Sequence, residues 1–359
     1  MSSATTAASD RAQHGGSNGS TALVEQAGIS EQAAEQAGTS EQAAERAGTS
    51  DPASRIVPGR VRIDRYGLDL GPWLHLADER ARLSSPSFSH IEVTPQGATL
   101  GAEVAGVDLG SDLPDETVAE IRRALLDYKV LVFRDQPITP AQHVAFARRF
   151  GELEVHPFIT GNPEHPELVR FEKGADTGGF ENGWHHDVTW REVPSMGAVL
   201  HAIEVPPTGG DTLFSDMTAA YDGLDDATKE RIGHLHAVHD FMLTFRHQVP
   251  EGKQAEFRAR YPPARHPVVC THPETGRKLI FVNCYFTSHI DGMDEDGGVD
   301  LIRYLAGQAN VVEYQFRVRW EPDTVVFWDN RSVQHYAASD YYPDVRIMER
   351  ASIVGTRPA

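Results

Sequence analysis

Cysteine and long apolar runs are scarce in this chain, and each scarcity excludes a class of protein. Cys270 and Cys284 are the only cysteines among 359 residues, which is too few for the disulfide framework of a small secreted domain. No apolar run is long enough for the core of a signal peptide or for a membrane span. We therefore expect no membrane association and a location in the reducing cytoplasm.

Positive charge is also in the minority. Lys and Arg number 33 against 52 Asp and Glu, which gives a formal net charge of −19. Because binding to nucleic-acid phosphates needs clustered Lys and Arg, and no such stripe is present, we expect no nucleic-acid partner. The glycine-rich motifs of nucleotide-binding folds are absent as well, which argues against a nucleotide-binding protein.

The first 54 residues lack the apolar side chains that a core requires. Ala, Ser, Thr, Gly and Gln dominate, and the decapeptide EQAAEQAGTS at 31–40 returns as EQAAERAGTS at 41–50. Such a segment buries too little apolar surface to offset its ordering entropy, so we predict that residues 1–54 form a disordered low-complexity tail. Residues 55–88 hold a few apolar anchors among many charges, and they fit either a linker or a loosely packed extension. Residues 89–359 predict one folded domain.

Strand signals dominate the predicted domain, with helices inserted between them. A helix is expected over about 115–128, and Thr139 and Pro140 offer the N-cap and first-turn proline of a second helix that Gly151 would end. Residues 314–320 alternate strictly between apolar and polar, as a half-buried strand does. The predicted strands are 90–94, 130–133, 198–200, 268–270, 279–282 and 314–320. Short strands at this spacing favour a mainly β fold, a double-stranded β-helix of the jelly-roll, cupin-like kind.

Residues 182–189 (NGWHHDVT) combine residue types that bind metal ions. If the segment is a strand, the side chains of His185 and Asp187 project from the same face and can bind one ion, whereas His186 points to the other face. A third ligand would complete the two-histidine, one-carboxylate triad, which holds Fe(II) and leaves positions open for other ligands. Taken alone the pair is weak evidence, because spacings such as that of His289 and Asp291 arise by chance in a chain with 17 histidines.

Several further motifs occur in an order that narrows the interpretation. They are 101–109 (GAEVAGVDL), 133–136 (FRDQ), 184–189 (WHHDVT), 209–213 (GGDTL), 328–337 (WDNRSVQHYA) and 346–350 (RIMER). In type and spacing they resemble the taurine dioxygenase (TauD/TfdA) family over about residues 89–357. The resemblance implies an enzyme that uses Fe(II), 2-oxoglutarate and O2, with residues 89–359 as its catalytic domain.

The resemblance also implies a role for individual residues. It assigns the catalytic iron to His185, Asp187 and His335. It assigns the distal carboxylate of 2-oxoglutarate to Thr212 and Arg346, which suits a planar guanidinium that can hold a carboxylate through two hydrogen bonds. The residues implied for the substrate are His156, Glu181, Val188, Phe245, Phe286 and Arg350. Alternatives stay open for some of these positions: Arg346 also fits a surface ion pair, His156 an ordinary loop histidine, and both phenylalanines plain core positions.

Three hypotheses for the function follow. Arg346 and Arg350 stand four residues apart, so on a strand both would face one pocket, which predicts a small anionic substrate. A sulfonate such as taurine is the leading candidate. Ile159 and Glu181 depart from the taurine pattern, where a tyrosine and an asparagine stand. The same chemistry on an aryloxyalkanoate, sulfate ester, phosphonate or biosynthetic carboxylate is therefore the second hypothesis. The third is a non-catalytic, metal-binding jelly-roll protein. The family also suggests a homo-oligomer.

Overall fold

The computed structural model describes residues 61–63, 68–156, 159, 161–177 and 181–359. The predicted tail, residues 1–54, lies outside the described residues. Strands occur along nearly the whole described chain, from residue 61 to residue 354. In chain order they are β1 (Val61–Ile63), β2 (Leu68–Leu70), β3 (Glu92–Pro95), β4 (Ala102–Ala105), β5 (Val130–Phe133), β6 (Leu168–Lys173), β7 (Ser195–Glu204), β8 (Thr212–Asp216), β9 (His236–His239), β10 (Ala264–Pro267), β11 (Val269–Thr271), β12 (Lys278–Ile280), β13 (Thr287–Ile290), β14 (Gln315–Val318), β15 (Val325–Asp329), β16 (Val333–Ala337) and β17 (Arg346–Val354).

Helices lie between and outside these strands. Short 3-10 helices occupy Arg246–Gln248, Gln308–Asn310 and Val312–Tyr314. The α-helices of the described chain are α1 (His75–Leu83), α2 (Asp115–Tyr128), α3 (Pro140–Arg148), α4 (Met217–Asp222), α5 (Asp226–Ile232), α6 (Phe241–Phe245), α7 (Gln254–Arg260) and α8 (Glu295–Gly307).

Two sheets form the centre of the fold. The larger has seven strands in the order β3-β4-β5-β15-β7-β17-β6, and the smaller has the order β14-β8-β16. Between them lies a core to which both sheets contribute, including Val132 of β5, Phe214 of β8, Trp328 of β15 and Met348 of β17. Two sheets packed face to face over a shared core constitute the double-sheet jelly roll that the strand pattern predicts.

The central strands β5 and β15 of the seven-stranded sheet are buried on both faces. Along β5, Val130 and Val132 contribute to the core between the sheets, whereas Leu131 and Phe133 contribute to a second core. This alternation follows from the period of two in a strand. Apolar side chains of α2 and α3 complete the second core. Because both faces are covered, a continuous apolar run rather than an alternating one marks this strand in the sequence.

Three smaller sheets add to the jelly roll. They have the orders β10-β9-β13 and β11-β12, and β1 pairs with β2. A core that includes Met217 of α4, Leu279 of β12 and Leu305 of α8 supports them. A separate apolar cluster is formed around α6, with Phe241, Met242, Phe286 and Val188 among its buried members. Through this cluster, helix α6 packs against Val188 and Phe286.

Helix α1 lies within the segment 55–88, for which a linker and a loose extension were both open. Its Leu76 and Leu83 are buried in the cores. Its Glu79 is buried as well and accepts a salt bridge from Lys129, with 3.0 Å between Oε1 and Nζ. The helix is therefore anchored by apolar packing and by buried charge.

Most predicted elements occur where the sequence places them, and their ends differ. Helix α2 spans 115–128 as predicted, and Thr139 caps α3 by accepting a hydrogen bond from the Gln142 backbone N–H. Helix α3 ends at Arg148, before Gly151. Strand β14 covers four residues rather than 314–320, because its ladder is limited to pairing with β8. The first strand is Glu92–Pro95 rather than 90–94.

Candidate metal centre and adjoining cavity

His185 and His335 are brought together by a main-chain bridge. The His185 N–H donates to the His335 carbonyl over 3.1 Å, and the His335 N–H donates back to the His185 carbonyl over 2.8 Å. Their ring centroids are 4.2 Å apart. Strand β16 supplies His335, whereas His185 lies in an otherwise irregular segment. The reciprocal pair of hydrogen bonds therefore places two imidazoles side by side.

Asp187 completes the group, but not from a strand, and here the sequence interpretation was wrong. His185 makes an isolated bridge, and Asp187 begins a turn in which Val188 has a φ of +50°. The turn still directs the carboxylate to the histidines, with 3.8 Å from Oδ1 to His185 Nε2 and 3.8 Å from Oδ2 to His335 Nε2. One ligand atom from each of the three lies within 4.8 Å of the others.

The protonation states of these groups suit a cation. His185 Nδ1 lies 2.7 Å from the Gly183 carbonyl oxygen, so that nitrogen donates its proton there and Nε2 presents a lone pair. Burial lowers the pKa of both His185 and His335 and keeps the imidazoles neutral. Burial alone would raise the pKa of Asp187, but the charge and the hydrogen bond of Arg350 outweigh it and hold that pKa well below its usual range. Two neutral nitrogens and one carboxylate are the donor set of an Fe(II) site.

A buried arginine marks the second feature of the site. Arg346, at the start of β17, is 7% exposed, and its Nη2 donates to Thr212 Oγ1 over 3.3 Å. Trp320 Nε1 donates to the same hydroxyl over 3.0 Å, and the Trp320 ring centroid lies 5.6 Å from the Arg346 guanidinium carbon. Burial lowers the pKa of Arg346, and its Nε has no hydrogen-bond partner within the described residues. A buried guanidinium with an unused donor is suited to an incoming carboxylate.

The second arginine of β17 faces the candidate metal ligands His185, Asp187 and His335 instead. Arg350 Nη1 lies 2.9 Å from Asp187 Oδ2, and its guanidinium carbon is 4.9 Å from the centroid of the Phe171 ring. His156 lies near these charges, and burial lowers its pKa to about 3. Its Nδ1 accepts a hydrogen bond from the Ile159 N–H over 3.0 Å, so the neutral ring carries its proton on Nε2. The corner therefore offers N–H donors for an anion.

One cavity of about 370 Å³ collects the predicted residues. Val188, Phe245 and Phe286 contribute apolar wall, and Glu181 lies at 3.4 Å from Lys173, measured from Oε1 to Nζ. The predicted site residues that line the cavity are His156, Glu181, His185, Asp187, Val188, Thr212, Phe245, Phe286, His335, Arg346 and Arg350. Arg346 and Arg350 both face it, as the strand spacing predicts.

The sequence interpretation gave no role to two further neighbours of the candidate metal ligands. Tyr285 stacks on the His185 ring, with centroids 4.6 Å apart and an interplanar angle of 19°. This contact depends on Gly183, because a Cβ there would lie 2.8 Å from the Tyr285 ring. Asn330 contacts the main chain of Asp187. Asn330 stands inside the motif 328–337, whereas Tyr285 lies outside the motifs. Neither contact could be predicted, because the partners are distant along the chain and leave no local signal.

A jelly roll that holds two histidines and a carboxylate beside a cavity with a buried arginine is the arrangement of a non-haem Fe(II) oxygenase. The chain belongs to the family described as "Taurine catabolism dioxygenase TauD, TfdA family", whose model matches residues 92–352. It is therefore a 2-oxoglutarate-dependent non-haem iron dioxygenase, and it uses Fe(II), 2-oxoglutarate and O2.

Relatives with different stated substrates resemble this chain to a similar degree. An alpha-ketoglutarate-dependent sulfate ester dioxygenase of Pseudomonas putida is 32% identical, over 77% of this chain and 94% of its own. An (S)-phenoxypropionate/alpha-ketoglutarate-dioxygenase of Sphingobium herbicidovorans is 35% identical, over 76% and 96%. The crystal structure of a taurine dioxygenase from Burkholderia xenovorans superposes with a TM-score of 0.65 at 33% identity, covering 76% of this chain and 93% of that one.

None of the helices in the described ranges combines the length and the apolar composition that crossing a bilayer requires.

Proposed function

We propose that this dioxygenase hydroxylates the carbon next to a terminal SO3⁻ group, carried as a sulfonate or a sulfate ester on an apolar body. The observation that carries the proposal is the position of Arg350, whose guanidinium lies against Asp187 and beside apolar cavity wall. An anion held by Arg350 would lie close to Asp187 and therefore to the proposed metal ion. The substrate carbon that bears the anionic group would then be the one presented for reaction.

The metal-binding role is proposed for His185, Asp187 and His335. When bound, Fe(II) supplies the activation of O2 that couples decarboxylation of 2-oxoglutarate to substrate hydroxylation. His185 presents Nε2 because its Nδ1 proton is held by Gly183, and Asp187 offers a carboxylate that stays ionised. These residues fit the ion because their donors are buried, close together and in the correct protonation state.

Arg346 and Thr212 are proposed to bind the distal carboxylate of 2-oxoglutarate. Arg346 is buried, its Nε has no partner among the described residues, and Thr212 Oγ1 lies 3.3 Å from its Nη2. A carboxylate placed there gains charge-assisted hydrogen bonds and removes an unsatisfied donor. The cosubstrate would then extend along the cavity towards Asp187.

The remaining wall favours a substrate with an apolar body. Besides His156 and Arg350, the cavity is lined by the apolar residues Val188, Phe245, Phe286 and Ile159. We propose that His156 donates through Nε2 to the SO3⁻ group beside Arg350, while the apolar side chains exclude water from the reacting carbon. Hydroxylation at that carbon gives an unstable product that releases an aldehyde with sulfite from a sulfonate, or with sulfate from a sulfate ester.

Taurine is the second candidate, because one observation favours it. Glu181 lines the cavity, and its carboxylate would pair with the ammonium group of taurine. Lys173 already lies 3.4 Å from Glu181 Oε1, so the ammonium would have to compete with a cation of the protein. This competition is the reason for placing an uncharged body first.

The test is a four-substrate panel with the Fe(II)-loaded enzyme: hexyl sulfate, hexanesulfonate, taurine and phenoxypropionate. Succinate is measured for each, with sulfate, sulfite or phenol as the matching product. We expect kcat/KM to be highest for hexyl sulfate or hexanesulfonate, with one sulfate or sulfite per succinate. Preference for taurine would support the second candidate. Preference for phenoxypropionate, or no substrate-dependent succinate from any sulfur compound, would overturn the proposal. Asp187→Ala should abolish succinate formation throughout.

A further inference from the structure

The main chain at Asp187 is held by a side chain in place of a neighbouring strand. The Asp187 N–H donates to Asn330 Oδ1 over 2.7 Å, and Asn330 Nδ2 donates to the Asp187 carbonyl over 3.1 Å. The same Nδ2 donates to the Ser195 carbonyl over 3.0 Å. Asn330 is 1% exposed, so these bonds form away from water, and they use both donors and one acceptor position of the carboxamide.

The turn that Asn330 holds has an unfavourable backbone conformation. Val188 follows Asp187 with a φ of +50°, in the left-handed region that a β-branched side chain rarely adopts. Conformations of this kind cost of the order of 1–3 kcal/mol and persist only where surrounding contacts enforce them. Without external hydrogen bonds, the segment would relax and the Asp187 carboxylate would turn away from the histidines.

Asn330 is also placed where the two sheets are joined. It lies in the short turn between β15 of the seven-stranded sheet and β16 of the three-stranded sheet, and β16 carries His335. The preceding Asp329 is buried and held at 3.0 Å by His272 and at 2.6 Å by Arg331. The Asn330 carboxamide therefore connects the Asp187 segment to the turn that leads into β16, the strand that carries His335.

We propose that Asn330 is a positioning residue for Asp187. Its carboxamide holds the strained Asp187–Val188 turn in register with His335, and it thereby sets the affinity of the site for a divalent metal ion. The inference rests on the proposed metal site. The oxygen of Asn330 accepts from Asp187 and its nitrogen donates to two carbonyls, so an isosteric acid cannot replace it.

The test compares Asn330→Asp with a matched control, Gln136→Glu. Gln136 is also a buried amide: its Oε1 accepts from the Leu109 N–H over 2.8 Å, and its Nε2 donates to the Arg134 and Val107 carbonyls over 2.9 Å and 3.3 Å. It has the same three kinds of contact and does not line the cavity. Mn(II) binding to the full chain is measured from the electron paramagnetic resonance signal of the free ion, with thermal unfolding in parallel.

We expect Asn330→Asp to weaken Mn(II) binding by about 10- to 100-fold, the usual effect of losing a partner of a metal ligand. Gln136→Glu should lower thermal stability while leaving the Mn(II) affinity unchanged. Unchanged affinity in Asn330→Asp, together with a loss in Asp187→Ala, would overturn the inference. If Asp187→Ala also binds Mn(II) as tightly as the unmutated chain, the proposed metal site is what fails.

A second set of variants covers the case in which Asn330→Asp does not fold. Asn330→Ala adds no charge to the interior and should lose Mn(II) affinity in the same way. Adding Val188→Gly should restore part of that affinity, because glycine adopts the left-handed conformation without steric cost. Recovery would support a positioning role. An Asn330→Ala protein that binds Mn(II) normally, or one that Val188→Gly does not improve, would count against it.

Discussion

At the scale of single residues, two arginines of one strand have different surroundings. Arg346 faces the Thr212 hydroxyl, and Arg350, four residues on, faces the Asp187 carboxylate. The Arg346 guanidinium contacts the Thr212 hydroxyl and the Trp320 ring, whereas Arg350 forms an ion pair with Asp187. Arg346 is therefore suited to bind a carboxylate, and Arg350 is the residue that we propose holds the substrate anion beside Asp187.

This difference predicts separable kinetic effects for one substitution at two positions. Arg346→Gln should raise KM for 2-oxoglutarate on the order of 10- to 100-fold, because it removes charge-assisted hydrogen bonds worth about 1.5–3 kcal/mol. Arg350→Gln should instead raise KM for the substrate anion. Steady-state succinate formation, with each ligand varied in turn, measures both constants. If the two variants raise the same KM, the assignment of the arginines is wrong.

At the scale of elements, a buried charge network connects helix α1 to the jelly roll. Lys129 lies just after α2 with its Nζ 3.0 Å from Glu79 of α1 and 3.0 Å from Asp216, which caps α4. It also donates to the Thr99 carbonyl over 2.9 Å. Burial would raise the pKa of Glu79, but Arg82, Lys129 and Arg277 outweigh it and hold that pKa far below its usual range. Lys129 therefore joins α1 to α4 through buried ion pairs, and removing one charge would leave its partners buried without a counter-charge.

Removing the central cation should destabilise the fold strongly. Lys129→Met leaves Glu79 and Asp216 buried without their shared partner, which we expect to lower the free energy of unfolding by about 3–5 kcal/mol. Lys253→Met removes an exposed lysine paired with Glu256 at 2.7 Å, and it should leave the urea midpoint unchanged because water replaces that contact. Urea unfolding of both variants is the measurement. Equal midpoints for the two variants would show that the buried network contributes little.

At the scale of the whole molecule, several histidines are buried in the neutral state, which makes the fold sensitive to acid. Burial lowers the pKa of His143 to about 3 and that of His186 to about 3. An unfolded histidine binds a proton below about pH 6.5, whereas these remain neutral when folded. The unfolded state therefore holds more protons between pH 6.5 and 3, and stability is lost as pH falls through that window.

The contribution of a single buried histidine to this loss of stability can be measured at His143, which is not one of the proposed metal ligands. Its Nε2 lies 3.0 Å from the Val199 carbonyl oxygen, a contact that the amide of His143→Gln can keep. Each such group makes unfolding free energy fall by up to about 1.4 kcal/mol per pH unit. Urea unfolding from pH 6 to 4.5, with a chelator present, should give a shallower slope for His143→Gln. The exposed His289→Gln serves as the control. An unaltered slope for His143→Gln would refute the prediction.

The chain by itself determined the family, the jelly roll and the residues that line one cavity, because ligand types and strand periods are local properties of the sequence. Only the tertiary structure decided how Asp187 is presented. The segment around His185 makes a bridge and a strained turn instead of a strand, since Asn330, more than a hundred residues away, supplies its hydrogen bonds. The packing of α1 depended likewise on Lys129 and Asp216, which local pattern does not connect to Glu79. Contacts between distant segments are set by how the sheets bring them together, and a one-dimensional pattern carries no record of that.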